Sequence, residues 1–366
     1  MGELTRFWKL PQEYEKILSP FEVDFERYLF ERYQKNKSKN LNFFYAVKHL
    51  IPRFLQITLR RLRAKSIKNN FPHWPIEPYL EELKRKCLKY QKDIEKIPFI
   101  WFWPGNKNFS LCLTHDVETK EGFKKIERIC KIEKNIGLRS AWFFVAEKYP
   151  VSENLIKELK EQGFEVGVHG LRHDGKLFNS KNTFNKRKEK LRIYAQKWNA
   201  KGFRSPSLLR NAQLIKDLPF EYDSSFPDTD PYGPQPGGCL SIFPFFLGNI
   251  VEIPVTIPQD HTLFVILRKR NISIWKKKVD WIEKMHGVAL FIIHPDYFDA
   301  KIEKYYIELL DYLSGKKNVW LTQPLEICNW WRSRDRSFIT GDENSNLTIT
   351  GEIKKNGTIA RIGDVI

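Results

Sequence analysis

Five short stretches of this chain concentrate groups that can bind a metal or move a proton. They are Thr114-His115-Asp116-Val117-Glu118, His169-Gly170-Leu171-Arg172-His173-Asp174, Phe203-Arg204-Ser205-Pro206, Tyr222-Asp223-Ser224-Ser225 and Phe291-Ile292-Ile293-His294-Pro295. The HxxxH spacing puts His169 and His173 on one side of a turn, within reach of a single metal ion. Asp116 and Glu118 alternate as DxE, and His294 follows a very apolar run. Each group also has an ordinary reading. The histidine pair can bond loop backbone, and Asp116 and Glu118 can cap and charge the first turn of a helix near Gly122. Arg204 can be a plain ion-pair partner, and His294 a satisfied core histidine. Packing alone does not require five separate chain segments to end in His, Asp, Glu or Arg.

The elements between these stretches explain how they come together. Short apolar runs at Phe109–Thr114, Ser140–Val145, Glu165–His169, Gly202–Arg204, Ile250–Val255, Ala289–His294 and Val319–Thr322 read as strands. Charged amphipathic segments at Gly122–Ile136, Glu153–Gln162, Asn185–Lys197, Ala212–Leu218, Ile274–His286 and Lys301–Leu313 read as helices between them. A βα repeat of this length predicts an α/β fold with a parallel sheet, closed as a barrel or open. In either case the C-terminal strand ends converge on one site, and the polar stretches sit at those ends.

Taken together and in this order, residues from about 106 to 330 resemble the polysaccharide deacetylase (NodB-homology) domain of carbohydrate esterase family 4. That family's T-[FH]-D-D motif is met by Thr114-His115-Asp116-Val117, its H-x-x-x-H by His169 and His173, and its R-x-P by Arg204 and Pro206. Its D-S-S-like loop is met by Tyr222-Asp223-Ser224-Ser225, and its apolar-x-His by Ile292 and His294. Ser140-Ala141-Trp142-Phe143-Phe144-Val145 is similar to its A-T-F-F-V strand. One position departs: the second Asp of the first motif is Val117, which cannot bind a metal. A branch of the family takes that ligand from the third position, here Glu118, so the chain reads as an atypical D-x-E member.

The resemblance implies an irregular (β/α) barrel that removes the N-acetyl group from N-acetylated sugars of a polysaccharide, glycan or lipid-linked saccharide. It implies one divalent metal ion, zinc in the first instance, held by Glu118, His169 and His173. It gives Asp116 the role of general base, held ionised by Arg204, and His294 that of general acid. Asp223 is expected to orient His294 or Arg204. Ile292, Pro206 and Tyr222 are expected to contact substrate. Asp174, Asp260 and His261 are further candidates near the strand ends, while His49, His73 and His286 read as surface or packing residues. Two alternatives share the pattern: hydrolysis of another amide, such as a peptidoglycan-type or small cyclic one, and a non-catalytic module that binds glycan or membrane.

The rest of the chain frames this domain. Residues 1–105 read as a helical, basic region, with helical spacing in Glu22–Gln34, Phe43–Ile67 and Glu77–Ile94. Between Leu41 and Asn70 stand seven Lys and Arg residues, at 48, 53, 60, 61, 63, 65 and 68, and no acid. Phe54, Leu55, Leu59 and Leu62 fall on one helical face, so this segment can make peripheral contact with an anionic membrane. The opposite expectation packs that face on the catalytic domain and leaves the basic one in water. After about residue 335 a β-hairpin tail is expected, turning at Asn356-Gly357.

The net charge of +18 among 366 residues favours anionic partners. However, no zinc-finger spacing, RNP-like motif or basic heptad region points to nucleic acid. The five cysteines are odd in number and include no CxxC pair, against a disulfide framework. No apolar run approaches membrane-spanning length, and the N-terminus shows no signal-peptide core. A cytoplasmic location, peripheral on the inner membrane face, is the expectation.

Overall fold

A computed structural model describes residues 2–34, 51–68, 70–89, 93–341 and 347–365. Its centre is a curled, mostly parallel sheet. In chain order the strands are β1 (Pro98–Ile100), β2 (Phe109–Val117), β3 (Ala141–Phe144), β4 (Glu165–Val168), β5 (Gly202–Phe203), β6 (Tyr222–Asp223), β7 (Phe245–Leu247), β8 (Ile250–Glu252), β9 (Val288–Ile293), β10 (Val319–Leu321), β11 (Phe338–Thr340), β12 (Thr348–Thr350) and β13 (Ile359–Arg361). The sheet runs β10-β2-β3-β4-β5-β6-β8-β7, with β9 also paired to β2. Within it only the β7–β8 pairing is antiparallel. This is the half-barrel that the alternating apolar runs predict.

The sequence explains why β2 and β9 lie at the centre. Val288–Ile293 is six consecutive apolar residues, and every residue of both strands is buried. Continuous rather than alternating hydrophobicity marks a strand covered on both faces. Four of the covering helices start at side-chain caps: Thr119, Ser152, Ser180 and Asp299 each accept from backbone N–H of the first turn. Because the strands run parallel, their C-terminal ends, with Asp116, His169, Arg204 and His294, open on the same side.

Residues before 105 contribute to the same core. Among the described residues four α-helices precede β1: α1 (Glu3–Trp8), α2 (Ser19–Leu29), α3 (Arg53–Ser66) and α4 (Tyr79–Lys86). Phe7 and Trp8 of α1 pack against Phe99, Phe102 and Phe243. Buried ion pairs tie this segment down, among them Arg210 to Glu31 at 2.5 Å, beside Lys84 to Glu81 at 2.9 Å. Of the expected helix Phe43–Ile67, the described part is helical from Arg53; residues 35–50 lie outside the described residues.

The C-terminal tail does contain a hairpin, but not the expected one. β11 pairs with β12, whereas β13 pairs antiparallel with β1, Phe99 opposite Ala360. Asn356-Gly357 closes a tight turn, with Gly357 N–H donating to Ile353 O at 2.7 Å. The chain on either side of it therefore goes to different partners. Asn-Gly states a local turn preference, and the apolar edge of β1 outcompetes the local hairpin for residues 359–361.

Candidate active site

Alternation along β2 builds the first half of the site. Successive strand residues face opposite sides, so Thr114, Asp116 and Glu118, just past the strand end, turn inward while His115 and Val117 turn away. His115 is fully buried behind the site, its Nε2 2.6 Å from Glu133, which also accepts from Ser140 and Tyr306. Val117 is fully buried, and its carbonyl accepts from Tyr149 Oη at 2.5 Å. The next backbone N–H, that of Glu118, donates to Asp296 Oδ2 at 2.9 Å. These two bonds fix the backbone on either side of the Val117–Glu118 peptide, which aims the Glu118 carboxylate into the cleft.

Glu118, His169 and His173 each offer one ligand atom, and these atoms all lie within 4.8 Å of one another. Glu118 Oε1 is 2.8 Å from His173 Nε2. The histidines come from the loop after β4, where Gly170 has φ +65° and His173 φ +55°. A Cβ on Gly170 would sit 2.7 Å from Pro206, so glycine is needed for close approach as well as for backbone conformation. His173 holds the left-handed conformation without that freedom, a cost of the sort found where function fixes a side chain. His169 Nδ1 lies 3.1 Å from Arg204 O. A carbonyl can only accept, so Nδ1 carries the proton and Nε2 presents a lone pair.

His169 Nε2 is buried without a hydrogen-bond partner, and His173 Nε2 meets only the Glu118 carboxylate. Burial pushes the His169 pKa down to about 4, which keeps its ring neutral. Burial opposes ionisation of Glu118, but His173, His294 and His169 hold its carboxyl well below the usual carboxylate range. Two imidazoles and one carboxylate, with His169 Nε2 orphaned, form a three-ligand set suited to a divalent metal with open positions. A buried polar atom left unpaired is costly, and a metal at this point would satisfy it.

Asp116 stands beside this triad, its Oδ2 3.8 Å from His169 Nε2. Its Oδ1 accepts from Arg204 Nη1 at 2.8 Å. Arg204 is wholly buried. It also donates to Thr114 Oγ1 at 2.8 Å, Ser224 O at 2.9 Å and Ser224 Oγ at 3.0 Å, and its guanidinium lies 4.3 Å above the Phe143 ring. Burial works against the charge on Asp116, but Arg204, His169 and His294 hold its pKa below the ordinary value. Arg204 thus positions and ionises Asp116 rather than reaching a ligand.

His294 enters from the end of β9. Its Nδ1 is 2.6 Å from Asp260 Oδ1, and its backbone N–H donates to Asp260 Oδ2 at 2.8 Å. Its Nε2 faces Glu118 Oε1 at 3.9 Å. Burial would lower the ring's pKa, but the Asp260 carboxylate outweighs it and raises it to about 10. The imidazolium therefore points a proton into the cleft. The cleft formed by these groups opens to solvent. Its lip includes Ser207, Leu208, Gly233, Pro234, Tyr297 and Arg60 of α3.

The structure brings together Asp116, Glu118, His169, His173, Arg204 and His294, and it corrects other assignments. Asp223 hydrogen-bonds neither His294, whose carboxylate is Asp260, nor Arg204, whose partners are Asp116, Thr114 and Ser224. Asp223 instead accepts from Ser225 Oγ at 2.7 Å and faces Glu252. Burial raises both pKa values, since two carboxylates in one buried site cannot both ionise. Tyr222 and Ile292 do not line the cleft: Tyr222 is fully buried with its hydroxyl on Glu165, and Ile292 is core in β9. Pro206 packs on Gly170 behind the histidine loop, leaving its neighbours Ser207 and Leu208 at the cleft. Asp174 forms a bidentate pair with Arg187, 2.6 Å on each side, and is no partner of a ligand histidine. His261 lines the cleft, whereas His73 and His286 do not; His49 lies outside the described residues.

Sequence reasoning undervalued Asp260, which follows a Pro-Gln step after β8 and belongs to no periodic element. It missed Asp296, two residues after His294, and Arg60, for which the sequence holds no local signal.

No protein-family model matches this sequence, and no curated protein matches it. Solved structures do. One, assigned as a polysaccharide deacetylase from Mycobacterium smegmatis, superposes with TM-score 0.52 at 15% identity, over 68% of this chain and 98% of that one. The PuuE allantoinase gives 0.52 at 14%, over 63% and 92%. A protein assigned as a polysaccharide deacetylase from Pseudomonas aeruginosa PAO1 gives 0.51 at 15%, over 63% and 93%. At these identities the likeness is one of fold: the chain has the (β/α) barrel of the polysaccharide deacetylases.

Proposed function

We propose that this protein is a metal-dependent hydrolase that removes the acetyl group from N-acetylated sugars of a glycan. The observation that carries the reading is the juxtaposition in one cleft of three elements: the Glu118, His169 and His173 set, an ionised Asp116 locked by Arg204, and a His294 imidazolium held by Asp260. A divalent metal on that set, zinc by the donor chemistry, would lower the pKa of a bound water and polarise the acetamide carbonyl.

The chain's own residues supply the rest. Asp116 accepts the proton of the attacking water as its oxygen bonds to the carbonyl carbon. Arg204 keeps the Asp116 carboxylate ionised and aimed. When the carbon–nitrogen bond breaks, His294 Nε2 delivers its proton to the departing nitrogen, because an amide anion is a very poor leaving group. Acetate and a free amine result. Asp260 anchors the other ring nitrogen, so the proton that leaves is the one in the cleft. The burial of these groups strengthens each charge–charge contact relative to water.

The reading is tested by acetate release from N-acetylated oligosaccharides, assayed beside peptidoglycan fragments and small cyclic amides. Release should stop with chelator and with His173→Ala or Asp116→Asn. Chelator-insensitive release, or retention of activity by both variants, would contradict the reading. A protein that purifies without metal and acquires none on addition would favour a binding module instead.

A further inference from the structure

Helix α3 crosses the lip of the cleft with its apolar side facing out. Phe54 is 67% exposed, Leu55 43%, Leu59 53% and Leu62 57%. Among the described residues no other helix presents more than one exposed large apolar side chain. At 100° per residue these four and the exposed Thr58 lie on one arc, while the half-buried Gln56, Ile57, Arg60, Arg61 and Ala64 form the side against the barrel. The helix is pinned in that orientation. Arg61 Nε and Nη2 donate to Val265 O at 3.0 and 2.9 Å, and Arg63 Nη1 donates to Gly233 O at 3.2 Å. Gly233 and Arg60 both line the cleft, so the exposed face is built next to the site entrance.

We propose that this face of α3 docks the protein on an anionic lipid surface, with the cleft mouth held at that surface. The composition decides among occupants. Exposed Lys65, just past Leu62 on the same arc, and exposed Lys68, beyond the helix end, give the face a basic rim at its C-terminal end, and residues 51–68 contain no acidic residue. An amphipathic helix with a basic rim lies in the headgroup region of an anionic bilayer: its apolar side chains enter the acyl boundary, and each nearby Lys or Arg is attracted to the negative surface. A second copy of the chain fits poorly, because a twofold contact would bring this basic rim against itself in a protein of net charge +18. Nucleic acid offers nothing to four clustered apolar side chains. The inference does not rest on the proposed reaction, and its test involves no turnover.

The test is co-sedimentation of the full chain with vesicles of phosphatidylcholine alone and of phosphatidylcholine mixed with phosphatidylglycerol. Binding should require phosphatidylglycerol and weaken as salt rises. The double variant Leu59→Glu/Leu62→Glu should bind at least about tenfold more weakly, as loss of apolar insertion and reversal of charge act together. Thr58→Glu, at the middle of the arc, should weaken binding in the same direction. Val23→Glu, on α2 at a side chain 80% exposed, should leave it unchanged. Circular dichroism should be the same for all. The proposal is overturned if the wild-type chain stays in solution with anionic vesicles, or if the α3 variants bind as wild type. It is overturned equally if light scattering shows a dimer that the double variant dissolves.

Discussion

Replacing Asp260 with Asn isolates the role of the carboxylate that holds His294. Asp260 accepts three N–H groups: His294 Nδ1 at 2.6 Å, His294 N at 2.8 Å and His261 N at 2.7 Å. An Asn amide keeps one acceptor oxygen. With that oxygen placed against His294 Nδ1 and His261 N, its NH₂ must face the His294 backbone N–H, donor against donor. Leaving a buried donor unpaired costs about 1–3 kcal/mol. The electrostatic effect is larger. Burial alone lowers the His294 pKa; Asp260 first, with Glu118 and Asp116 behind it, lifts it to about 10. An acid catalyst loses its proton as pH rises, so Asp260→Asn moves the alkaline limb of the kcat profile to lower pH. Loss of a positioned general acid costs about 10²–10⁴-fold in rate, so kcat at neutral pH should fall by that factor with little change in KM. Metal content should be unchanged, since Asp260 touches none of the three proposed ligands. Steady-state acetate release, a pH profile and elemental analysis together read the outcome. A variant with wild-type kcat and pH profile would refute the acid role of His294. A variant that lost its metal would show that Asp260 supports the ligand set rather than the proton donor.

Other perturbations separate the remaining groups. Glu118→Ala should abolish stoichiometric metal binding, read by elemental analysis, whereas retention of metal would move the third ligand to another residue. Arg204→Met leaves the buried Asp116 charge without its partner and should lower stability by about 3–5 kcal/mol in urea unfolding; an unchanged midpoint would mean the ion pair is dispensable to the fold. Glu252→Gln tests the buried pair with Asp223. Both carboxyls have raised folded pKa values, so their contribution is fully present below the ordinary carboxylate pKa and is lost as pH rises through the folded value. Wild-type stability should therefore decline above about pH 4 by up to ~1.4 kcal/mol per pH unit for each retained proton. The Gln variant should show a shallower decline, and an identical slope would place the proton elsewhere.

The sequence carries what is periodic and loses what is contingent. β9 is legible because a parallel strand buried on both faces is apolar throughout, and β2 and β4 because short apolar runs lead into polar ends that stand out against them. His169 and His173 are legible because two imidazoles on one turn leave a fixed spacing. Glu118 follows from alternation, once Val117 is seen to belong to the outward face with His115. The partners of these residues are not legible in the same way. Asp260 reaches His294 across a 34-residue separation, from a stretch with no period of its own. Asp223 and Tyr222 sit beside the active site in sequence, but the short strand β6 turns them into the core. The orientation of α3 is set by Arg61 and Arg63 bonding carbonyls far along the chain, which no local pattern encodes. The tail misled because a turn dipeptide reports only what four residues prefer.

The central claim is that catalysis depends on a metal held by Glu118, His169 and His173. The most direct measurement is acetate release from an N-acetylated oligosaccharide by metal-stripped protein, before and after stoichiometric zinc is restored. No release before and recovery after, absent in Glu118→Ala, is the predicted result. Equal release from the stripped and restored protein would contradict it.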